Sequence, residues 1–250
     1  MPAFRPAFQP AFQAAFRPPF GASGAAESAL QQAVIAAWDM QEESGPLLPA
    51  KGDIEIPAFN SPGTAAGPIS GITSRSVAPT QSFEITSSGA GEVFDIRGGI
   101  TFAGWLWATN HFATGAWRYI HGEGPAALTD ENAQWALRCE SQTLQFRVRQ
   151  TDGSVRVATV SGLVAEMWFF FALSVSGGTM RVRLWDGSAL SEGTQTLTGA
   201  INPPPGRVSV ASFGGSGNEW RGALNNTYAG ELSNAQLAEI YTNPRVYAEL

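Results

Sequence analysis

The chain has 250 residues, of which 14% are charged, and carries a formal net charge of -6 at pH 7. That balance, with Lys and Arg scattered singly, leaves no basic stripe able to neutralise a row of phosphates, and the single cysteine excludes both a disulfide framework and a Cys/His metal cluster. Glycine (28 residues), proline (16) and tryptophan (8) suit strands and turns, so the expected class is all-β.

The chain opens with MPAFRPAFQPAFQAAFRPPFG, an internal repeat that places Phe4, Phe8, Phe12, Phe16 and Phe20 four residues apart. Pro2 precedes the first of them, and Pro6, Pro10, Pro18 and Pro19 lie between them. Each proline removes a backbone donor and biases itself and its predecessor toward extended dihedrals, so a helix through the repeat would be broken repeatedly. In an extended chain a spacing of four puts the rings on roughly one side. The arm has no second layer of its own to bury them, so the reading is a docking arm that needs a host surface. No basic start followed by an apolar run opens the chain and no apolar stretch reaches 18 residues, so neither an export signal nor membrane insertion is expected.

Residues 21 to 32 read as a small-residue linker entering a short helical turn, which divides the chain into an arm and linker (1–30) and a folded domain (31–250). From there to residue 98, short apolar runs at VIAAWDM, DIEIPAF and SFEITSS suit strands joined by long loops. The second half is more regular. Strands are predicted at 100–108, 116–122, 133–140, 143–150, 154–161, 167–176, 180–187, 207–214 and 220–230, most with one apolar and one polar face. Leu144, Phe146 and Val148, alternating with Gln145, Arg147 and Arg149, show the pattern. Turn signals every 8 to 12 residues indicate a two-layer antiparallel jelly-roll sandwich. One short helix is predicted near 233–242, N-capped by Ser233 and stopped by Asn243-Pro244.

Chemistry-bearing residues are sparse. His111 and His121 are the only histidines, and no nucleophile elbow accompanies them, which argues against a triad. The run Gly214-Gly215-Ser216-Gly217 is not followed by Lys and a helix, so it reads as a hairpin loop. Cys139 alternates with Trp135 and Leu137 and is expected in the core. Trp105 and Trp107 share a strand face with Ala103 and are read as core or inter-sheet packing, as are Trp168 and Trp185 in their strands. Trp117, Tyr119 and His121 follow the loop ATNHFATG on one face, which makes them the candidate carbohydrate-binding rim.

The order of segments resembles the laminin-G-like, concanavalin-type lectin/glucanase superfamily over roughly residues 33 to 243. The resemblance rests on Trp38 with Glu42, Glu43, Ser44 and Gly45; on Phe102 with Trp105; on Trp168; and on Trp220, Gly222, Leu232, Ser233, Ala235, Ile240 and Tyr241. These positions support a fold and form no catalytic signature. Glucanases of that superfamily carry acids alternating along one strand, a pattern missing here: Asp53 and Glu55 lack a third acid, and Glu92 and Asp95 differ in parity. The resemblance therefore implies a binding module and no enzyme. It also admits a structural calcium, with Asp39, Glu42, Asp95 and Asn225 as the leading ligands and Asp130 and Asn226 as further oxygens. No other cofactor is expected.

A Phe-rich repeat ahead of a lectin-like module further resembles bacteriophage virion proteins of the tail fibre, baseplate or capsid-decorating kind. The expected partners are other virion proteins through the arm, copies of the chain in a homo-oligomer, and a host-surface glycan. The alternatives are a free carbohydrate-binding lectin and, more distantly, a glycoside hydrolase.

Overall fold

The computed structural model describes residues 28–78, 81–85, 93–109, 118–124, 132–187, 189–203, 207–210 and 220–244. The Phe/Pro repeat lies outside the described residues, as do Trp117, His111, Asp130 and Glu92.

A short helix, α1 (Ala29–Ala33), enters the domain, closed at its start by a capping box between Ser28 and Gln31, and runs into β1 (Val34–Trp38). It agrees with the helical turn read at the end of the linker. The long loop region then supplies β2 (Ala58–Phe59), β3 (Gly63–Ala66), β4 (Thr73–Val77) and β5 (Ser82–Ile85). Of these, β3 and β4 carry small and polar residues in place of apolar alternation, which is why they were not predicted. A 3-10 turn (Ile96–Gly98) precedes β6 (Ile100–Ala108), β7 (Arg118–Glu123), β8 (Trp135–Glu140), β9 (Thr143–Arg149) and β10 (Val155–Ser161). Then follow β11 (Phe169–Ser176), β12 (Thr179–Trp185), β13 (Leu190–Thr196), β14 (Val208–Val210), β15 (Trp220–Ala229) and α2 (Asn234–Thr242). The polar strand β13, LSEGTQT, also escaped sequence reading because it has no apolar face to alternate.

The strands form two antiparallel sheets. The eight-stranded sheet runs β13-β12-β11-β6-β15-β4-β3 with β1 also paired to β15, and the seven-stranded sheet runs β10-β9-β8-β7-β14-β5-β2. The long strand β15 changes partner at a bulge between Ala223 and Asn226: Trp220 to Gly222 pair with β4, and Asn225 to Tyr228 pair with β1. Leu224, inside the bulge, takes a left-handed φ of 52°, costly for a branched side chain and tolerated here because both flanking halves are tied into the sheet.

Between the sheets lies the main core, with Phe102, Leu106, Phe169 and Phe171 from one side meeting Leu137, Cys139, Phe146 and Val148 from the other. Cys139 is fully buried there, as its parity predicts. A second core sits on the outer face of the eight-stranded sheet, where Leu30 of α1 and Leu237 and Ile240 of α2 cover Ala103, Trp105 and Phe170. Both predicted features of α2 are present: Ser233 is the N-cap and accepts from the Gln236 N–H, and the helix ends at Asn243, the C-cap; Gln236 also reaches back to the Ser233 N–H at 2.9 Å. Ser233→Ala should cost about 1 kcal/mol and loosen α2 from the sheet, read as a small fall in melting temperature with faster amide exchange confined to 234–242.

Candidate functional site

The outer face of the seven-stranded sheet is polar. Arg138 on β8 and Gln145 on β9 are register partners, and both Nε and Nη2 of Arg138 donate to the Gln145 Oε1 (3.1 and 3.0 Å). Arg147 lies diagonally beside them, opposite Ala136, and Ser209 on β14 pairs with Gly122. Tyr119 occupies the register position opposite Arg138. The row is not an open surface, because Arg138, Arg147, Ser209 and Ala136 are all at most 7% exposed.

Of the expected rim of Trp117, Tyr119 and His121, Trp117 lies outside the described residues. A bulge between Tyr119 and His121 inserts one residue into β7, so the period-two relation that puts both on one face is lost. His121 pairs with Leu137 and points into the main core, 2% exposed, edge-on to Phe102 (5.1 Å) and stacked on Phe171 (5.4 Å). Burial pushes its pKa down to about 3, so the ring is neutral at pH 7 and serves packing. Two residues on, Glu123 is also buried, and its Oε2 accepts from the Trp135 Nε1 (3.2 Å).

The four residues read as calcium ligands have other occupations. Asp95 caps the 3-10 turn and forms a two-pronged pair with Arg97 (2.7 Å between Nη2 and Oδ2), which holds its carboxyl below the usual range. Glu42 accepts from the Leu48 N–H (2.6 Å) and stands 3.8 Å from the buried Arg75 guanidinium. Arg75 donates to the carbonyls of Gly45, Gly63 and Pro62, and its pKa is lowered by desolvation with Glu42 working against that. Asp39 accepts from the Gln41 N–H, and the Asn225 Nδ2 donates to the Met40 Sδ (3.4 Å) inside the core. Among the described residues, no three His, Cys, Asp or Glu side chains gather into a group that could hold a metal ion. Asp39, Glu42 and Asp95 accept from nearby backbone or arginine donors, whereas Asn225 donates to a sulfur.

The aromatic residues separate into two rows on the outer face of the eight-stranded sheet. In the first row, Trp105, Phe170 and Trp185 are direct neighbours across β6, β11 and β12. Tyr241 of α2 closes it, stacked between Trp105 (5.1 Å) and Trp185 (4.9 Å). Trp105 is therefore core, as expected, but under the helix and not between the sheets. One step toward the end of the strands lies the second row. Ser76, Arg221 and Trp107 are register partners across β4, β15 and β6, Trp168 immediately precedes Phe169, the partner of Leu106, and Gly187 lies two residues past Trp185. The Arg221 guanidinium stacks on the Trp107 ring at 3.9 Å. Trp107 and Trp168 are half-buried, while Met167 (40% exposed) and Val164 (50% exposed) flank them.

Two antiparallel sheets, a Greek-key-like exchange of strands between them and a helix on the outer face define a lectin-like jelly-roll β-sandwich. Solved structures of the same architecture bear this out. A botulinum neurotoxin serotype C1 binding domain superimposes with a TM-score of 0.66 at 13% identity, covering 86% of this chain and 52% of the other. A botulinum neurotoxin DC binding domain solved in complex with SialylT gives the same values, as does that domain in complex with rat synaptotagmin II. The chain thus spans about half the length of these structures, and at this identity the likeness is one of fold. No family model matches the chain, and no curated protein matches it in sequence.

Proposed function

We propose that this chain is a non-catalytic structural component of a bacteriophage particle, anchored through residues 1–20 and presenting the sandwich to a host-surface glycan. The observation that carries the reading is the repeat itself: five phenylalanines at an interval of four, interspersed with prolines, joined to a lectin-like sandwich. One botulinum neurotoxin binding domain with this architecture was solved in complex with SialylT, and cell entry of botulinum neurotoxin type C depends on interaction with two ganglioside molecules, which supports glycan as the ligand class.

The arm is suited to docking in several small steps. Burying one Phe ring is worth roughly 1.5 to 3 kcal/mol, so four rings supply about 6 to 12 kcal/mol. Ordering the arm costs about 1 to 2 kcal/mol per residue, more than the rings return. Proline narrows the free ensemble and lowers that cost, and the backbone N–H groups of Phe4, Phe8 and Phe12 can add strand-like hydrogen bonds to a partner. Each docked ring also raises the effective concentration of the next.

A chain lacking residues 1–20 is expected to stay folded and to drop out of purified particles. Phe8→Ala with Phe12→Ala should lower its copy number severely, measured by quantitative mass spectrometry of the particles. Incorporation of the truncated chain at wild-type copy number would overturn the anchoring role.

A further inference from the structure

We propose that the second aromatic row, Ser76–Arg221–Trp107–Trp168–Gly187, is a binding strip for an extended, uncharged oligosaccharide. The inference rests on the glycan-binding reading above and assigns it a surface. Three features of the row point to this ligand.

The first is that its aromatics have a different fate from those one step away. In the first row Trp105 and Trp185 have their ring faces taken by Tyr241. In the second row no ring of α2 stacks on Trp107 or Trp168 among the described contacts; both indoles are half-buried, as Trp185 is, and Trp168 packs against the core beneath α2. Rigid, partly exposed indoles held on a sheet present apolar surface at little entropic cost.

The second is that polar groups flank the rings. The Arg221 guanidinium carbon stands 3.9 Å from the centroid of the Trp107 ring, so a cationic group borders the strip. Ser76 adds a hydroxyl beside it by register. Apolar faces bounded by donors match a sugar ring, which offers C–H groups on its faces and hydroxyl oxygens at its edge.

The third is the shape of the row. Neighbouring strands are about 4.8 Å apart, so Arg221, Trp107 and Trp168 repeat at a spacing comparable with one sugar unit of an extended chain. At the far end the Tyr241 hydroxyl of α2 stands 2.9 Å from where a Cβ of Gly187 would lie, so a hydroxyl bounds the strip there. The net charge of -6 disfavours a polyanionic polymer and selects an uncharged one.

The test uses the full chain and hexamers of N-acetylglucosamine, glucose (maltohexaose) and mannose, followed by tryptophan fluorescence and calorimetry. At least one hexamer should give a saturable fluorescence change. Trp168→Ala and Arg221→Gln should each weaken its binding about tenfold or more in chains that remain folded at the assay temperature, Trp168→Ala with a lowered melting temperature because the indole packs against the second core, while Trp168→Phe should retain most of the binding. Undiminished binding in Trp168→Ala and Arg221→Gln would overturn the strip and leave the glycan reading standing on another surface. Binding of none of the hexamers, together with none to polysaccharide extracted from bacterial envelopes, would overturn both. Self-association of the chain that Trp168→Ala abolishes would assign the strip to a second copy and overturn the saccharide proposal.

Discussion

Gly193→Val is expected to be the most damaging single substitution in the sandwich. The edge strands of the two sheets, β10 and β13, run against each other, and a Cβ built on Gly193 would stand 2.0 Å from the Thr159 carbonyl oxygen and 2.5 Å from its carbonyl carbon. Both atoms belong to backbone held in the ladder with β9, so the contact cannot be relieved by a rotamer change. Strand β13 is in turn locked to β12 over seven register pairs, Thr179↔Thr196 through Trp185↔Leu190. The sheets must therefore separate along this edge, opening the core over Val160 and Val182. Overpacking of this kind costs about 3 kcal/mol or more, which in a domain of this size lowers the melting temperature by about 6 to 12 °C. Gly63→Ala is the control, because nothing lies within 4 Å of its Cβ position. Calorimetry that found the two variants alike would mean that β10 and β13 do not approach as described.

Acid destabilisation through His121 should be the second large effect. The unfolded imidazole titrates near 6.5, whereas burial between Phe102 and Phe171 lowers the folded value to about 3. Between these values the unfolded chain holds a proton that the folded chain does not, so stability rises with pH across the window. The contribution is complete above about pH 6.5 and is lost as pH falls toward 3. A difference of about 3.5 pH units corresponds to roughly 4 to 5 kcal/mol, a large share of the 5 to 15 kcal/mol typical of a domain. Asp95, held down by Arg97, adds a further loss at lower pH, below the ordinary carboxylate value. Denaturant titrations from pH 7.5 to 4 should show the midpoint falling steadily below pH 6.5. His121→Phe keeps an aromatic ring in the slot and should flatten that fall. If the wild-type midpoint were constant from pH 7 to 4.5, the neutral buried histidine would be excluded.

Much of the sandwich was legible in the residues because period-two alternation is a local property. Leu144, Phe146 and Val148 on one side of β9, with Gln145, Arg147 and Arg149 on the other, assign its faces without knowledge of any neighbour. The Ser233 cap and the spacing of Leu237 and Ile240 locate α2 in the same way. Strands β3, β4 and β13 were not legible. Their membership comes from hydrogen bonds to adjacent strands, which small or polar residues form as well as apolar ones.

Local sequence decided the class of fold, the faces of the alternating strands without bulges, the helix and its cap, and the existence of the Phe/Pro repeat, because each depends on dihedral preference or short-range periodicity. It did not determine the site. The bulge in β7 separates Tyr119 from His121, and a bulge is set by the ladder with β8. Parity alone places Trp105 and Trp107 on the same face, yet Tyr241, over 130 residues away in sequence, covers the first and leaves the second half-buried. Which side of the eight-stranded sheet that face becomes, and how far along it α2 reaches, are decided only when the two layers and the helix pack together. Burial is a property of that packing, and no residue carries it alone.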